Sequence, residues 1–198
     1  MKKKMLKPGG KNGRQRRKKT GRPITTPSGG NGLRTATMPF GLSRTRYNAS
    51  LNPQFNPSIN PKVNASINPK FNPWIHPERN TRIHPKFNRS LNPLFTLPLN
   101  PTYNPSLDPK QTLKFSGLCR LSPDAELIGY IVRTSNKDVL LLFDKDLNWT
   151  AYAVDNSRQG YNLFDLEGNW IGYALKNQAG GWNEFNLEGD WIGFFTGR

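Results

Sequence analysis

The residues able to do chemistry are few and unevenly spread. Fourteen Lys and Arg side chains crowd into residues 1–46 with no acidic residue among them. Such a run suits phosphates, because each cation that meets one releases a condensed counterion. Ten of these are the expected nucleic-acid contacts: Lys2, Lys3, Lys4, Lys11, Arg14, Arg16, Arg17, Lys18, Lys19 and Arg22. The only two histidines, His76 and His84, stand eight residues apart, a spacing that would let both face one metal ion. No Cys and no acidic pair falls in register to complete that site, so both read as replacements for turn-capping amides. Asp144, Asp146, Asn148 and Asp155 match positions 1, 3, 5 and 12 of a calcium loop, but Trp149 stands where its sharp turn needs Gly. Cys119 is the single cysteine, and no nucleophile–base pair or phosphate loop accompanies it. A non-enzymatic protein without metal or cofactor is expected.

The elements that would position these groups follow from composition. The chain has 198 residues, a formal net charge of +16, 34% hydrophobic residues, 17 Pro and 18 Gly. That is too polar and too interrupted for one globule around a single large core. Charge divides the chain into three parts: residues 1–46 carry all-basic charge, 47–110 seven basic and two acidic residues, and 111–198 eight basic and eleven acidic. Residues 1–46, poor in apolar side chains, are expected to form a disordered basic tail. Within it, Gly21-Arg22-Pro23 resembles the core of an AT-hook, a minor-groove DNA-binding motif, with Thr20 where the first core arginine would stand.

Residues 47–110 keep a four-residue register for sixteen units, without a single glycine and with twelve of the prolines. The first slot is apolar in fifteen units, Arg79 being the exception, and the second is Asn in twelve. Large slots alternate with aliphatic ones, so the unit is an octad in eight copies, such as Phe55-Asn56-Pro57-Ser58-Ile59-Asn60-Pro61-Lys62. Proline every fourth residue forbids a helix and an interior strand. Asn before Pro favours extended backbone, and its side chain caps turns. The octads are therefore expected to form regularly spaced turns, either solenoid-like with the aliphatic slots as core or extended along another surface.

Residues 111–198 repeat with a period near 21. Leu127-Ile128-Gly129-Tyr130, Trp149-Thr150-Ala151-Tyr152, Trp170-Ile171-Gly172-Tyr173 and Trp191-Ile192-Gly193-Phe194 each follow an acidic or Gly-containing turn. Leu121, Phe143, Phe164 and Phe185 precede those turns. Apolar strand, turn, aromatic strand is a hairpin signature, repeated four times. A mostly β chain is expected, ending in an antiparallel β-hairpin-repeat meander or small barrel. The spacing resembles, as a style of repeat, the Trp- and Gly-rich hairpins of bacterial cell-wall-binding modules. Strand alternation predicts that each Gly shares a face with the Trp two residues before it.

Function is expected to be that of a nucleic-acid-associated binding or assembly protein. The tail would contact DNA or RNA phosphates, and the hairpin domain would dock a protein partner through Trp149, Trp170, Trp182 and Trp191. The rival is a structural or surface-binding repeat protein, a virion, envelope or filament component assembling through its repeats. Absence of a long apolar run argues against a membrane span. The unpaired cysteine fits a reducing intracellular compartment, cytoplasmic or nucleoid/nuclear, and the basic start without an apolar run argues against classical secretion.

Overall fold

The typical Asn of the octad does two jobs. Its side-chain oxygen accepts from the backbone N–H two residues on, as in Asn52 to Gln54 (2.8 Å) and Asn60 to Lys62 (3.0 Å). Its amide donates back to a carbonyl six or seven residues upstream, as in Asn68 to Pro61 (2.9 Å) and Asn104 to Pro98 (2.9 Å). Main-chain N–H groups close tight turns three residues apart, for instance Phe55 to the Asn52 carbonyl at 3.2 Å and Leu99 to Thr96 at 2.8 Å. Proline falls where no N–H is needed, so it costs these turns nothing and pre-sets their φ. In the computed structural model, which describes residues 42–112 and 117–196, the octads thus form a ribbon of tight turns and short 3-10 segments. The basic residues assigned to nucleic acid, Lys2 to Arg22, lie outside the described residues.

The remaining elements are eight strands: β1 (Leu118–Leu121), β2 (Leu127–Arg133), β3 (Val139–Asp144), β4 (Trp149–Asp155), β5 (Gly160–Asp165), β6 (Trp170–Lys176), β7 (Trp182–Asn186) and β8 (Trp191–Phe195). Neighbours in sequence pair antiparallel, and β1 also pairs with β8, closing the meander into a barrel. Of the two outcomes left open by the hairpin pattern, closure is the one adopted. Each sequence-marked turn brings a left-handed residue, Ala125, Leu147, Gly168 or Gly189, into a tight hairpin. The leading side-chain oxygen of the turn caps the N–H four residues on; Asp144 to Asn148 and Asp165 to Asn169 are both 2.8 Å.

The expected Trp–Gly face sharing is overturned. Phe164 pairs with Trp170 and Leu163 with Gly172, so Ile171 is an extra residue, a β-bulge. The same shift recurs once per hairpin, leaving Ile128, Thr150 and Ile192 as the extra residues. One inserted residue reverses the alternation. Trp170 therefore faces outward, and Gly172 faces the lumen. A Cβ on Gly172 would lie 2.5 Å from the Phe185 carbonyl oxygen, and one on Gly193 2.6 Å from that of Leu121. Only glycine permits such a close approach of neighbouring backbones.

The lumen is packed, not hollow. Leu118, Ile131, Leu140, Leu142, Ala151, Ala153, Leu163, Ala174 and Phe195 fill it. Arg120 and Glu184 add a bidentate ion pair at 2.7 and 2.5 Å, with the Glu184 side chain 2% exposed. The opposite face of the wall is buried too, and the octads bury it. Leu91, Leu99 and Leu107 pack with Val139, Leu141, Phe143, Tyr152, Val154 and Phe164. Leu51 packs with Cys119, Leu121 and Phe194, and Ile67 against Tyr173, Leu175 and Phe185. The aliphatic slots thus pack against the barrel as well as within the ribbon, so the repeat is a belt around it.

Candidate nucleic-acid interface

Registration of belt on barrel decides which side chains remain free. Basic residues at equivalent octad positions reach successive hairpin turns: Arg46 to Asp124, Lys62 to Asp190 (2.5 Å), Lys86 to Asn169 (3.5 Å) and Lys110 to Asn148 (2.8 Å). The belt therefore runs from the β1–β2 turn past β7–β8 and β5–β6 to β3–β4, opposite to strand order. Lys62, Lys86 and Lys110 are 24 residues apart, while their acceptors are 21 apart. Three octads match one hairpin. Buried amides repeat the match: Asn183 donates to the Leu51 carbonyl at 2.5 Å and Asn162 to the Ile75 carbonyl at 3.1 Å. The Arg46 and Lys62 cations hold the Asp124 and Asp190 carboxyls below their ordinary pKa, chiefly through direct hydrogen bonds.

With the aliphatic slots turned in, the slots four residues away turn out. Tyr47, Phe55, Phe71, Phe87, Phe95 and Tyr103 are 55–79% exposed, and Trp74 on the edge of the belt is 69% exposed. Among the described residues no ring contact joins these side chains to one another, although Phe87 meets the His84 ring edge-on at 5.3 Å. Arg89 lies over Phe95, 5.2 Å from its centroid. Among the described residues, Lys70, Arg79 and Arg82 enter no ion pair. The rim thus combines exposed aromatic side chains with cations outside any ion pair.

The tryptophans assigned to a partner are placed differently. Trp149, Trp170 and Trp191 face outward but are half-buried against the wall and belt, while Trp182 meets Tyr161 edge-on at 5.6 Å beside the lumen cluster. Trp170 carries the His76 ring at 4.9 Å. Trp191 also lines a groove of about 560 Å³ with Arg46, Tyr47, Phe55 and Lys62, and Trp149 a separate one of about 350 Å³ with Lys110, Phe143 and Asn148. Among the described residues no one of these grooves gathers all four, because much of the surface they would have offered is covered by the chain's own belt.

His76 and His84 fill the Asn slot at the barrel wall. His84 Nδ1 accepts from the Lys86 N–H at 3.0 Å, the capping job of the amide it replaces, and the ring lies 5.4 Å from that of Phe164. Burial, then the nearby Lys86 charge, pushes its pKa down; burial and Arg79 do the same for His76. Among the described residues no group of three His, Cys, Asp or Glu is placed to hold a metal, and no helix is long and apolar enough to cross a membrane. The calcium-like Asp144 is occupied by the turn, accepting from Asp146, Asn148 N–H and the Asn148 amide.

The outward aromatics were not singled out from sequence as a site. Their signal was present in the octad, where aromatic slots alternate with purely aliphatic ones; a repeat with one buried side needs only the latter. Comparison with protein-family models, curated proteins and solved structures finds nothing that matches this chain.

Proposed function

We propose that the protein is a non-enzymatic binder of single-stranded nucleic acid, with the belt rim as its stacking surface and residues 1–46 contacting phosphates. One observation carries this: seven exposed aromatic side chains on one continuous belt, interspersed with Lys70, Arg79, Arg82 and Arg89. Aromatic platforms beside cations are how single strands are gripped without sequence reading, at about 1–3 kcal/mol per stacked base. Soluble monomers rarely leave so many large apolar groups in a row unless something covers them. The same row supports assembly through the repeats as the second reading, with another copy as the cover.

Fluorescence anisotropy with a labelled oligothymidine tests the first reading. The triple variant Phe55→Ala/Phe71→Ala/Phe87→Ala should bind at least about tenfold more weakly, with its melting curve unchanged because these rings are exposed. Binding by the intact chain should fall with a log–log salt slope of roughly −4 to −6 if six to eight basic groups are engaged, and the slope should shrink on removal of residues 1–46. A triple variant that binds the strand like the parent refutes the stacking surface. If that variant also loses concentration-dependent oligomers, the assembly reading replaces it.

A further inference from the structure

The belt breaks its own rules in one place. Arg79 occupies a slot that is apolar in the fifteen other units. Five residues before it, Trp74 stands at an octad position that is Ser in Ser50, Ser58, Ser66, Ser90 and Ser106; eight residues after Trp74, that position is Arg82. These three exceptions converge on the β4–β5 loop, where with Arg158 they line a groove of about 580 Å³. Among the described residues no acidic side chain lines it. The loop is built to hold Arg158 there: the Asn156 side-chain oxygen accepts from the Arg158 N–H at 3.0 Å and the Gly160 N–H at 3.2 Å. Ser157 and Gln159 both adopt left-handed backbone, φ 60° and 65°. The sister β6–β7 loop places Gly180 at the position of Gln159, φ 87°, where the same conformation costs little. Non-glycine residues held in this region gather at ligand-binding sites.

We propose that this groove binds a nucleoside monophosphate unit with its phosphate terminal, the phosphate on Arg79, Arg82 and Arg158 and the base against Trp74. The inference rests on the nucleic-acid reading above and deepens it at one stretch of the rim, with which it shares Trp74, Arg79 and Arg82. Guanidinium groups grip phosphate by paired, charge-assisted hydrogen bonds. A terminal phosphate carries close to two negative charges near neutral pH, which three arginines match better than the single charge of an internal diester. The open indole supplies the stacking face, and the groove is of the size that encloses small ligands. The unit has two sources, a free nucleotide or the phosphorylated end of a strand.

Calorimetric titration of the full chain with a nucleoside 5′-monophosphate, the matching nucleoside and inorganic phosphate tests the site directly. The monophosphate should bind at least about tenfold more tightly than either fragment, since it alone uses both halves of the groove. Arg158→Gln and Trp74→Ala should each weaken it about tenfold without moving the melting curve, both residues being exposed. Oligonucleotides bearing a 5′-phosphate, a 3′-phosphate or neither then separate the sources: a gain in strand affinity from a terminal phosphate that Arg158→Gln removes assigns the strand terminus, and equal strand affinity with and without it assigns the free nucleotide. Phe55→Ala should leave monophosphate binding untouched, so a failed stacking surface and a failed groove give different results. A monophosphate that binds no better than inorganic phosphate, or that ignores Arg158→Gln, overturns the proposal.

Discussion

Leu99 and Tyr103 are four residues apart in the same octad register, yet their truncation should have opposite consequences. Leu99 is 2% exposed and packs in the cluster of Val139, Leu141, Phe143 and Tyr152; Tyr103 is 67% exposed. Leu99→Ala removes about three methylene equivalents from the belt–barrel seam and leaves a cavity that the bonded strands beneath cannot collapse to fill. A cost of about 2–5 kcal/mol follows. For a chain of this size that lowers the melting temperature by roughly 4–20 °C. Tyr103→Ala removes a ring that contributes little burial, and its effect should stay within about 0.5 kcal/mol. The assay is thermal melting of both variants, followed by tryptophan fluorescence, which reports the barrel through Trp149, Trp170, Trp182 and Trp191, and by far-ultraviolet circular dichroism, which also samples the belt. Seven belt aliphatics are at most 7% exposed, each contributing about 1.5–3 kcal/mol of apolar burial, a sum comparable to the whole stability of a domain. Belt and barrel should accordingly melt in one transition, which residues 111–198 alone should lose. Equal shifts for Leu99→Ala and Tyr103→Ala, or a barrel transition at the parental temperature in the Leu99 variant, would refute the seam.

Two further outcomes check the interior and its response to pH. Glu184→Gln leaves Arg120 in the lumen without its carboxylate and should cost about 3–5 kcal/mol by denaturant titration, whereas removing both charges with Arg120→Met and Glu184→Leu together should cost less; equal losses would show the pair to be immaterial. His84 has its folded pKa pushed below the ordinary 6.5, mainly by burial, with His76 alike. The unfolded chain therefore binds the proton first, so the stability contributed by the neutral rings is fully present above about pH 6.5 and is lost as pH falls through the lowered folded values. Melting temperatures measured from pH 7.5 to 5 should drop, and His84→Asn, which restores the amide cap, should flatten that drop; an unchanged pH profile in the variant would exclude His84 as its source.

Much of this architecture is legible along the chain because its causes are local. Proline every fourth residue leaves only tight turns, and Asn before it can cap them within two residues. Phe164, Asp165, Gly168 and Trp170 mark a hairpin by their order alone, and the four-fold recurrence of that order marks eight strands. The bulges were hidden, because nothing in Trp170-Ile171-Gly172 shows that two residues will oppose Phe164; pairing with the neighbouring strand decides it, and with it which face carries Trp170. Closure of the sheet was hidden for the same reason, since β1 and β8 meet across the whole module. The run Val139-Leu140-Leu141-Leu142-Phe143 did carry one tertiary hint: a strand apolar on both faces must be covered on both. What covers it is the belt, and here local reasoning had no purchase. An eight-residue period and a 21-residue period are independent facts in the sequence, each satisfied by its own turns. Only when three octads lie along one hairpin do the two periods become a single register, held by contacts such as that of Asn183 with the Leu51 carbonyl, 132 residues apart. That distant match turns the aliphatic slots inward and leaves the aromatic slots, chemically as apolar, facing water.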